Sequence, residues 1–233
     1  MPAFPIDRAH PPRRLAFQDP TRTLVLRPWD LDDVDPLIEA IRSSLPELRA
    51  FMPWAHLPIT REGQHALIAR FHSAYWNAGD YVLGMFDTSG RVLGGLGLHP
   101  RVPLNPSALE VGYWVRTSET GRGWATLAVQ MSLVLAFDWF ECDRVQVSHD
   151  EANAASRRVV EKCGFAFEGV IRNLVAGVPE TLPRDGYLGT RRHRQYGLTS
   201  DDLATRGDAL PWLNAVRAGL TVVDATGESR RGA

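Results

Sequence analysis

Residues Thr120-Gly121-Arg122-Gly123-Trp124-Ala125-Thr126 stand between a strand-like run, SALEVGYWV, and a long apolar run that reads as a helix. A glycine-rich turn opening a helix has free backbone N–H groups and the positive end of the helix dipole, which together favour an anion. Its glycines can take positive φ and let the main chain approach a phosphate. The pattern is not GxxxxGK[ST], and it lacks the third small residue of GxGxxG; a plain structural turn is the other reading. One helix and one strand later comes Asn153-Ala-Ala-Ser156-Arg-Arg-Val-Val-Glu-Lys-Cys-Gly164-Phe165. Asn153 suits an N-cap, Ser156 falls in the first turn and Gly164 suits the helix end. Capping alone explains those residue types, but not their place after the glycine-rich turn.

The elements that must position these residues follow from periodicity. TLVLRPW from Thr23 reads as a strand, and the aspartates at 30, 32, 33 and 35 suit the start of a helix whose buried stripe is Leu37, Ile38 and Ile41. After the proline-punctuated MPWAHLPIT, a second helix is predicted near Thr60 to Asn77, with Leu67, Ile68, Phe71 and Tyr75 at helical spacing. YVLGMF and RVLGGLGL around Asp87 to Gly90 read as a hairpin, and SALEVGYWV as a third strand. The rest alternates: a helix after GRGWAT, the strand DRVQVSH, a short helix Asn153 to Cys163, then strands FAFEGVIRN and YLGTRRHRQYGL. The order β α α β β β α β α β β predicts an α/β (α+β) protein with a mixed sheet and helices on both faces. We expect three parts: an extended arm over residues 1–21, a domain over 22–205, and an extension over 206–233 in which Leu210, Trp212, Leu213, Val216 and Leu220 form an amphipathic helix packed on the domain.

Composition narrows the classes. The 233 residues are 44% hydrophobic, with 26 basic and 27 acidic side chains, as in a folded globular protein without a uniform field for nucleic acid or anionic membrane. The run Leu127 to Phe140 is broken by Gln130, Ser132 and Asp138 and falls short of the roughly 20 residues that span a bilayer. The N-terminus lacks the apolar stretch of a signal peptide and there are two cysteines, Cys142 and Cys163, so a reducing cytoplasm is the expected compartment and no disulfide is expected. The histidines lack metal-binding spacing such as HExxH, and no metal is expected.

GRGWAT and NAASRRVVEKCGF, with VGYWV before and FEGVIR after, resemble the GNAT acyltransferase superfamily, in its RimJ/RimL-like branch of ribosomal-protein N-terminal acetyltransferases. The resemblance runs from about Thr23 to Leu203 and takes in LRPWDLDDV, MPW and YGLTSDDL. It implies a mostly antiparallel sheet whose two central strands splay apart to lodge acetyl-CoA. It also implies that backbone near Trp114 and Val115 pairs with the pantetheine arm and that amides of Gly121, Arg122, Gly123, Trp124, Ala125 and Thr126 hold the pyrophosphate. Asn153 and Ser156 match positions near the reactive end of the cofactor. Two departures stand out. Thr120 occupies a place usually held by Gln or Arg, and Val159 and Val160 fill the stretch where many members carry a tyrosine that protonates the thiolate. Ser156 is the remaining candidate acid. The glutamate that some members place after EG is absent, Val175 standing at the aligned position.

The implied activity is acetyl transfer from acetyl-CoA to a primary amine, of a protein N-terminus or a small molecule, by direct attack on the thioester. It needs a neutral amine and a route for one proton. Glu110, on the strand expected to line the cleft, is the first candidate base and His149, at the end of the next strand, the second; an outward carboxylate and a surface histidine are the alternatives. His65 and His72 read as solvent-facing or core, Tyr75 and Trp76 as core, and Trp54 as core or pocket. A non-catalytic acyl-CoA-binding module is the competing function. A dinucleotide-binding oxidoreductase is disfavoured, because no acidic residue follows the turn at the required distance in a βαβ unit. The protein is expected to act as monomer or homodimer.

Overall fold

The computed structural model describes residues 10–100, 102–206 and 209–231. Ten strands form one sheet: β1 (Arg14–Gln18), β2 (Thr23–Pro28), β3 (Tyr81–Phe86), β4 (Val92–His99), β5 (Ala108–Val115), β6 (Arg144–Asp150), β7 (Ala166–Arg172), β8 (Arg192–Thr199), β9 (Leu220–Val223) and β10 (Ser229–Arg231). Their spatial order is β10-β9-β1-β2-β3-β4-β5-β6-β8-β7. Every neighbouring pair is antiparallel except β5–β6. That parallel pair needs a crossover, and α4 (Trp124–Val134), extended by a wider turn over Leu135–Trp139, provides it.

Alternation along the strands divides the core in two. Leu24 and Leu26 of β2 point to a cluster with α4, α5 (Ala154–Cys163) and α7 (Pro211–Gly219). Val25 points the other way, to a cluster with α1 (Val34–Arg42), α2 (Leu45–Phe51) and α3 (Arg61–Trp76). On β5, Leu109, Val111, Tyr113 and Val115 belong to the α4 face and Trp114 to the α1 face. The aspartate-rich start of α1 has a structural use: Asp30 and Asp33 make a reciprocal cap, and Arg27 of β2 holds the Asp33 carboxylate with two hydrogen bonds of 2.6 and 2.7 Å.

The sheet is wider than the sequence predicts. Within the expected N-terminal arm, residues 14–18 form β1, which lies between β2 and β9. The short register RLAFQ carries two buried residues, Leu15 and Phe17, too few to stand out as a strand by alternation alone. The chain before it is anchored through backbone carbonyls, Tyr75 Oη donating to Pro12 O and Trp139 Nε1 to His10 O. Residues 1–9 of the arm, and 207, 208, 232 and 233 of the C-terminal extension, lie outside the described residues. The extension supplies α7, with Leu213 and Val216 buried, and then β9 and β10 continue the sheet. α6 (Ser200–Arg206) follows β8 and buries none of its residues.

Asp138, in the wide turn at the end of α4, is 5% exposed and receives Arg217 of α7 in two hydrogen bonds of 2.8 and 2.6 Å. Removing the guanidinium leaves a buried carboxylate without its countercharge. Arg217→Ala is expected to cost about 3 kcal/mol in urea-induced unfolding, and Arg217→Met with Asp138→Leu to recover most of it; an unchanged midpoint in the single variant would show that the pair adds nothing.

Candidate active site in the splayed sheet

Parallel pairing of β5 with β6 covers three residue pairs, Ala108 with Arg144, Leu109 with Val145 and Glu110 with Gln146. Beyond them each strand keeps its outer neighbour, β5 pairing β4 as far as Val115 and β6 pairing β8 as far as Asp150. The inner edges of Val111–Val115 and Val147–Asp150 therefore face a wedge-shaped opening, with backbone N–H and C=O groups that need partners.

At the wide end stands the glycine-rich turn. Gly121 has φ +76° and Gly123, the N-cap of α4, φ +80°. A glycine N-cap offers no side-chain acceptor, so the first amides of α4 remain available. A Cβ on Gly121 would meet nothing within 4 Å, leaving the turn open to a ligand. Trp124 Nε1 is buried with no hydrogen-bond partner among the described residues. Arg22, in the β1–β2 turn, brings its Nη1 to 3.2 Å from where a Cβ on Gly123 would stand. Buried Glu119 just before the turn is compensated by Arg91 at 2.7 Å and Arg122 at 3.2 Å, so its charge does not repel an anion there. Thr120 is exposed, and its Oγ1 donates to Thr117 O at 2.8 Å. These features fit a pyrophosphate.

Across the opening, Asn153 Oδ1 accepts from Ser156 N at 3.0 Å and caps α5, which ends at Gly164 with φ +85°. This places Ser156 Oγ 2.8 Å from Tyr113 Oη of β5. Burial pushes the Tyr113 hydroxyl well above the ordinary tyrosine range, the hydrogen bond to Ser156 opposing it, so the phenol keeps its proton. The sequence marks Tyr113 only as part of a strand; the face it shares with Leu109 and Val111 is what aims it at α5.

The chain matches the model of the acetyltransferase (GNAT) domain over residues 23–166. It belongs to the GNAT acetyltransferase family. A Bacillus subtilis protein named ribosomal N-acetyltransferase YdaF is 26% identical over 151 residues, 64% of this chain and 81% of that protein. Mycobacterium smegmatis RimJ, solved in complex with a CoA disulfide, superposes with a TM-score of 0.69 at 20% identity, covering 85% of this chain and 97% of RimJ. A RimL ribosomal L7/L12 α-N-protein acetyltransferase solved with coenzyme A gives 0.68 at 18% identity, over 80% of this chain and 98% of that one. These likenesses show the GNAT fold, with its mixed, mostly antiparallel sheet. The protein is an N-acetyltransferase, and the acetyl donor of its family is acetyl-CoA.

The candidate bases of this GNAT domain are divided between the two faces. Glu110 lies at the apex on the α1 face, its Oε2 accepting from Gln146 Nε2 at 3.1 Å. His149 shares the α4 face with Val145 and Val147, stacked on Tyr196 with ring centroids 5.4 Å apart. Its Nδ1 meets Asp150 O at 2.8 Å, and its buried Nε2 has no partner among the described residues. Desolvation lowers its pKa, so the ring is neutral near pH 7. Among the described residues no group of three or more His, Cys, Asp or Glu could hold a metal, and no helix is long and apolar enough to cross a membrane. Both cysteines are unpaired and buried.

On the α1 face, α2 with the turn Pro53–His56 meets the connection between β7 and β8. His56 places Nδ1 2.8 Å from Pro183 O and Nε2 3.0 Å from Arg49 O, and Leu188 N donates to Ala50 O at 2.9 Å. Asp150 ties the far end of that connection to β6, accepting from Thr190 N at 2.6 Å and Arg191 N at 3.1 Å. Trp54 packs edge-on against Trp114, with centroids 6.3 Å apart, and stays 36% exposed. Val175 is exposed in this connection rather than on a strand, which follows from β7 ending at Arg172. Tyr75 is fully buried, Trp76 partly so, and His65 and His72 face outward, His72 Nδ1 meeting Trp29 O at 3.0 Å.

Gly123→Pro replaces φ +80° by about −65° and removes an amide. Calorimetric titration should show acetyl-CoA affinity reduced more than about 10-fold, since several charge-assisted bonds depend on the turn, and a smaller, salt-sensitive loss for Arg22→Ala. Wild-type affinity in both would exclude the turn from the donor site.

Proposed function

We propose that this acetyltransferase moves an acetyl group from acetyl-CoA to the α-amine at a protein N-terminus. The carrying observation is the opening between β5 and β6, which has an anion-binding turn at its wide end and the Tyr113–Ser156 hydroxyl pair across it. The names of relatives point the same way: YdaF is named as ribosomal, and the RimL neighbour as an α-N-protein acetyltransferase.

Acetyl-CoA would supply a thioester whose carbonyl carbon is the electrophile. The chain's own residues would do the rest. Amides of Gly121, Arg122, Gly123, Trp124, Ala125 and Thr126, with Arg22, bind the pyrophosphate. The inner edge of β5 near Trp114 and Val115, which β6 does not pair, orients the pantetheine arm. Asn153 fixes the first turn of α5 and so the position of Ser156. The Ser156 hydroxyl gives a proton to the departing sulfur, and Tyr113, which keeps its own proton, sets the direction of that hydroxyl. This pair stands in for the tyrosine that α5 lacks, since Val160 is buried in the core at that stretch. The acceptor enters from the α1 face, past Trp54 and the β7–β8 connection, because the α4 face is closed by α4 and α5. An α-ammonium near pKa about 7.7 to 8.0 is neutral at pH 7 a few hundred times more often than a lysine near about 10.4, which favours N-termini over side chains.

Incubation with acetyl-CoA and N-terminal peptides of ribosomal proteins, read by mass spectrometry, should give products heavier by about 42 Da, one acetyl replacing one hydrogen, with the label on the α-nitrogen. Ser156→Ala should lower kcat by about 10- to 100-fold at nearly unchanged acetyl-CoA affinity, and Tyr113→Phe by less. Exclusive labelling of lysine side chains would overturn the acceptor, and an unaltered kcat in Ser156→Ala the role of the serine.

A further inference from the structure

We propose that Asp80 and His99 form a dyad in which His99 Nε2 takes the proton from the acceptor amine; the assignment rests on the N-acetyltransferase reading above. His99 ends β4 and sits directly across from Glu110 of β5. Its Nδ1 lies 2.6 Å from Asp80 Oδ1, in the segment leading into β3. The carboxylate accepts the Nδ1 hydrogen, which leaves the lone pair of the neutral ring on Nε2.

The ring then folds back over the sheet instead of out to solvent. A Cβ on Gly97 would overlap His99 Nε2, and one on Gly112 would stand 3.7 Å from it. Gly97 and Gly112 are paired across β4 and β5, so two bare backbones make the slot in which the imidazole lies. Gly112 is two residues beyond Glu110, the last residue of β5 paired with β6. His99 Nε2 therefore sits beside the start of the opening, on the face that Glu110 and Gln146 share, opposite Ser156. No hydrogen bond to Nε2 is formed among the described residues. Among the described residues, Asp80 from the segment before β3 and Glu110 from β5 face the ring; β6 contributes the neutral Gln146, already engaged with Glu110.

The proton count closes. An α-ammonium gives one proton to His99 Nε2, which releases it to solvent; the neutral amine forms the C–N bond and the C–S bond breaks. The second proton leaves nitrogen as the amide forms, the sulfur takes one from the Ser156 hydroxyl, which is reprotonated, and one net proton goes to solvent. An imidazole, ordinarily near about 6.5, is closer to an α-ammonium near about 8 than a carboxylate near about 4.3 is, which makes it the better matched base. His99 follows the hairpin motif RVLGGLGL and belongs to no chemical pattern in the sequence, and its partner is 19 residues away.

The test measures kcat/KM for an N-terminal peptide from pH 6 to 9.5 in wild type, His99→Gln and Asp80→Asn, with acetyl-CoA affinity as the check on folding. We expect His99→Gln to lose at least about 10-fold at pH 7 and to approach wild type at pH 9.5, where the amine is already neutral. Asp80→Asn should show a smaller loss with the same recovery at high pH, and it carries the test alone if His99→Gln fails to bind acetyl-CoA. An active wild type matched by both variants at pH 7 overturns the dyad and leaves the acetyltransferase reading standing. A wild type that acetylates no α-amine overturns both.

Discussion

The parting of β5 and β6 is the constraint on which the rest of the structure depends. A sheet interior normally satisfies its backbone groups by continuous pairing; here pairing stops after Glu110 and Gln146, and both strands run on for several residues with one edge open. Such an edge is tolerable where something else fills it. The outer neighbours keep the wedge rigid, since β4 and β8 stay paired to the ends of β5 and β6. Everything with chemical potential stands around that wedge: the turn Gly121–Gly123 at its mouth, Ser156 and Tyr113 on the α4 face, Glu110 and His99 on the α1 face.

Charge is handled locally around it. Glu119 could oppose a phosphate at the turn, yet two arginines hold it. Asp150 at the far end of β6 spends its carboxylate on Thr190 N and Arg191 N of the β7–β8 connection and on Ala152 N of the turn into α5, which fixes that connection beside β6. The C-terminal extension supports the opposite face, α7 locking the end of α4 through Arg217 and Asp138. The helix that follows the glycine-rich turn is thus held at both ends.

Local signals were legible in the sequence. Two glycines opening an apolar run marked the turn before α4, and Asn153 with Gly164 bracketed α5 to within a residue. The alternation of SALEVGYWV and DRVQVSH marked the two strands that part. What depends on register was not legible. Tyr113 and Ser156 are 43 residues apart, and only the face of β5 and the capped start of α5 together bring their hydroxyls into contact. His149 reads in the chain as the second candidate base after Glu110, and strand alternation sends it to the α4 face, stacked on Tyr196. Arg22 reaches the glycine turn through a β1–β2 turn whose first strand, five residues long, carried too weak a pattern to be seen. β9 and β10 are shorter still and owe their existence to the edge that β1 offers.

The most direct test of the account is a crystal structure with acetyl-CoA bound. It predicts the pyrophosphate on the amides of residues 121–126, the pantetheine arm along the inner edge of β5 at Trp114 and Val115, and the sulfur within hydrogen-bonding distance of Ser156 Oγ. Acetyl-CoA bound elsewhere, with the space between Val111–Val115 and Val147–Asp150 left to solvent, would contradict it.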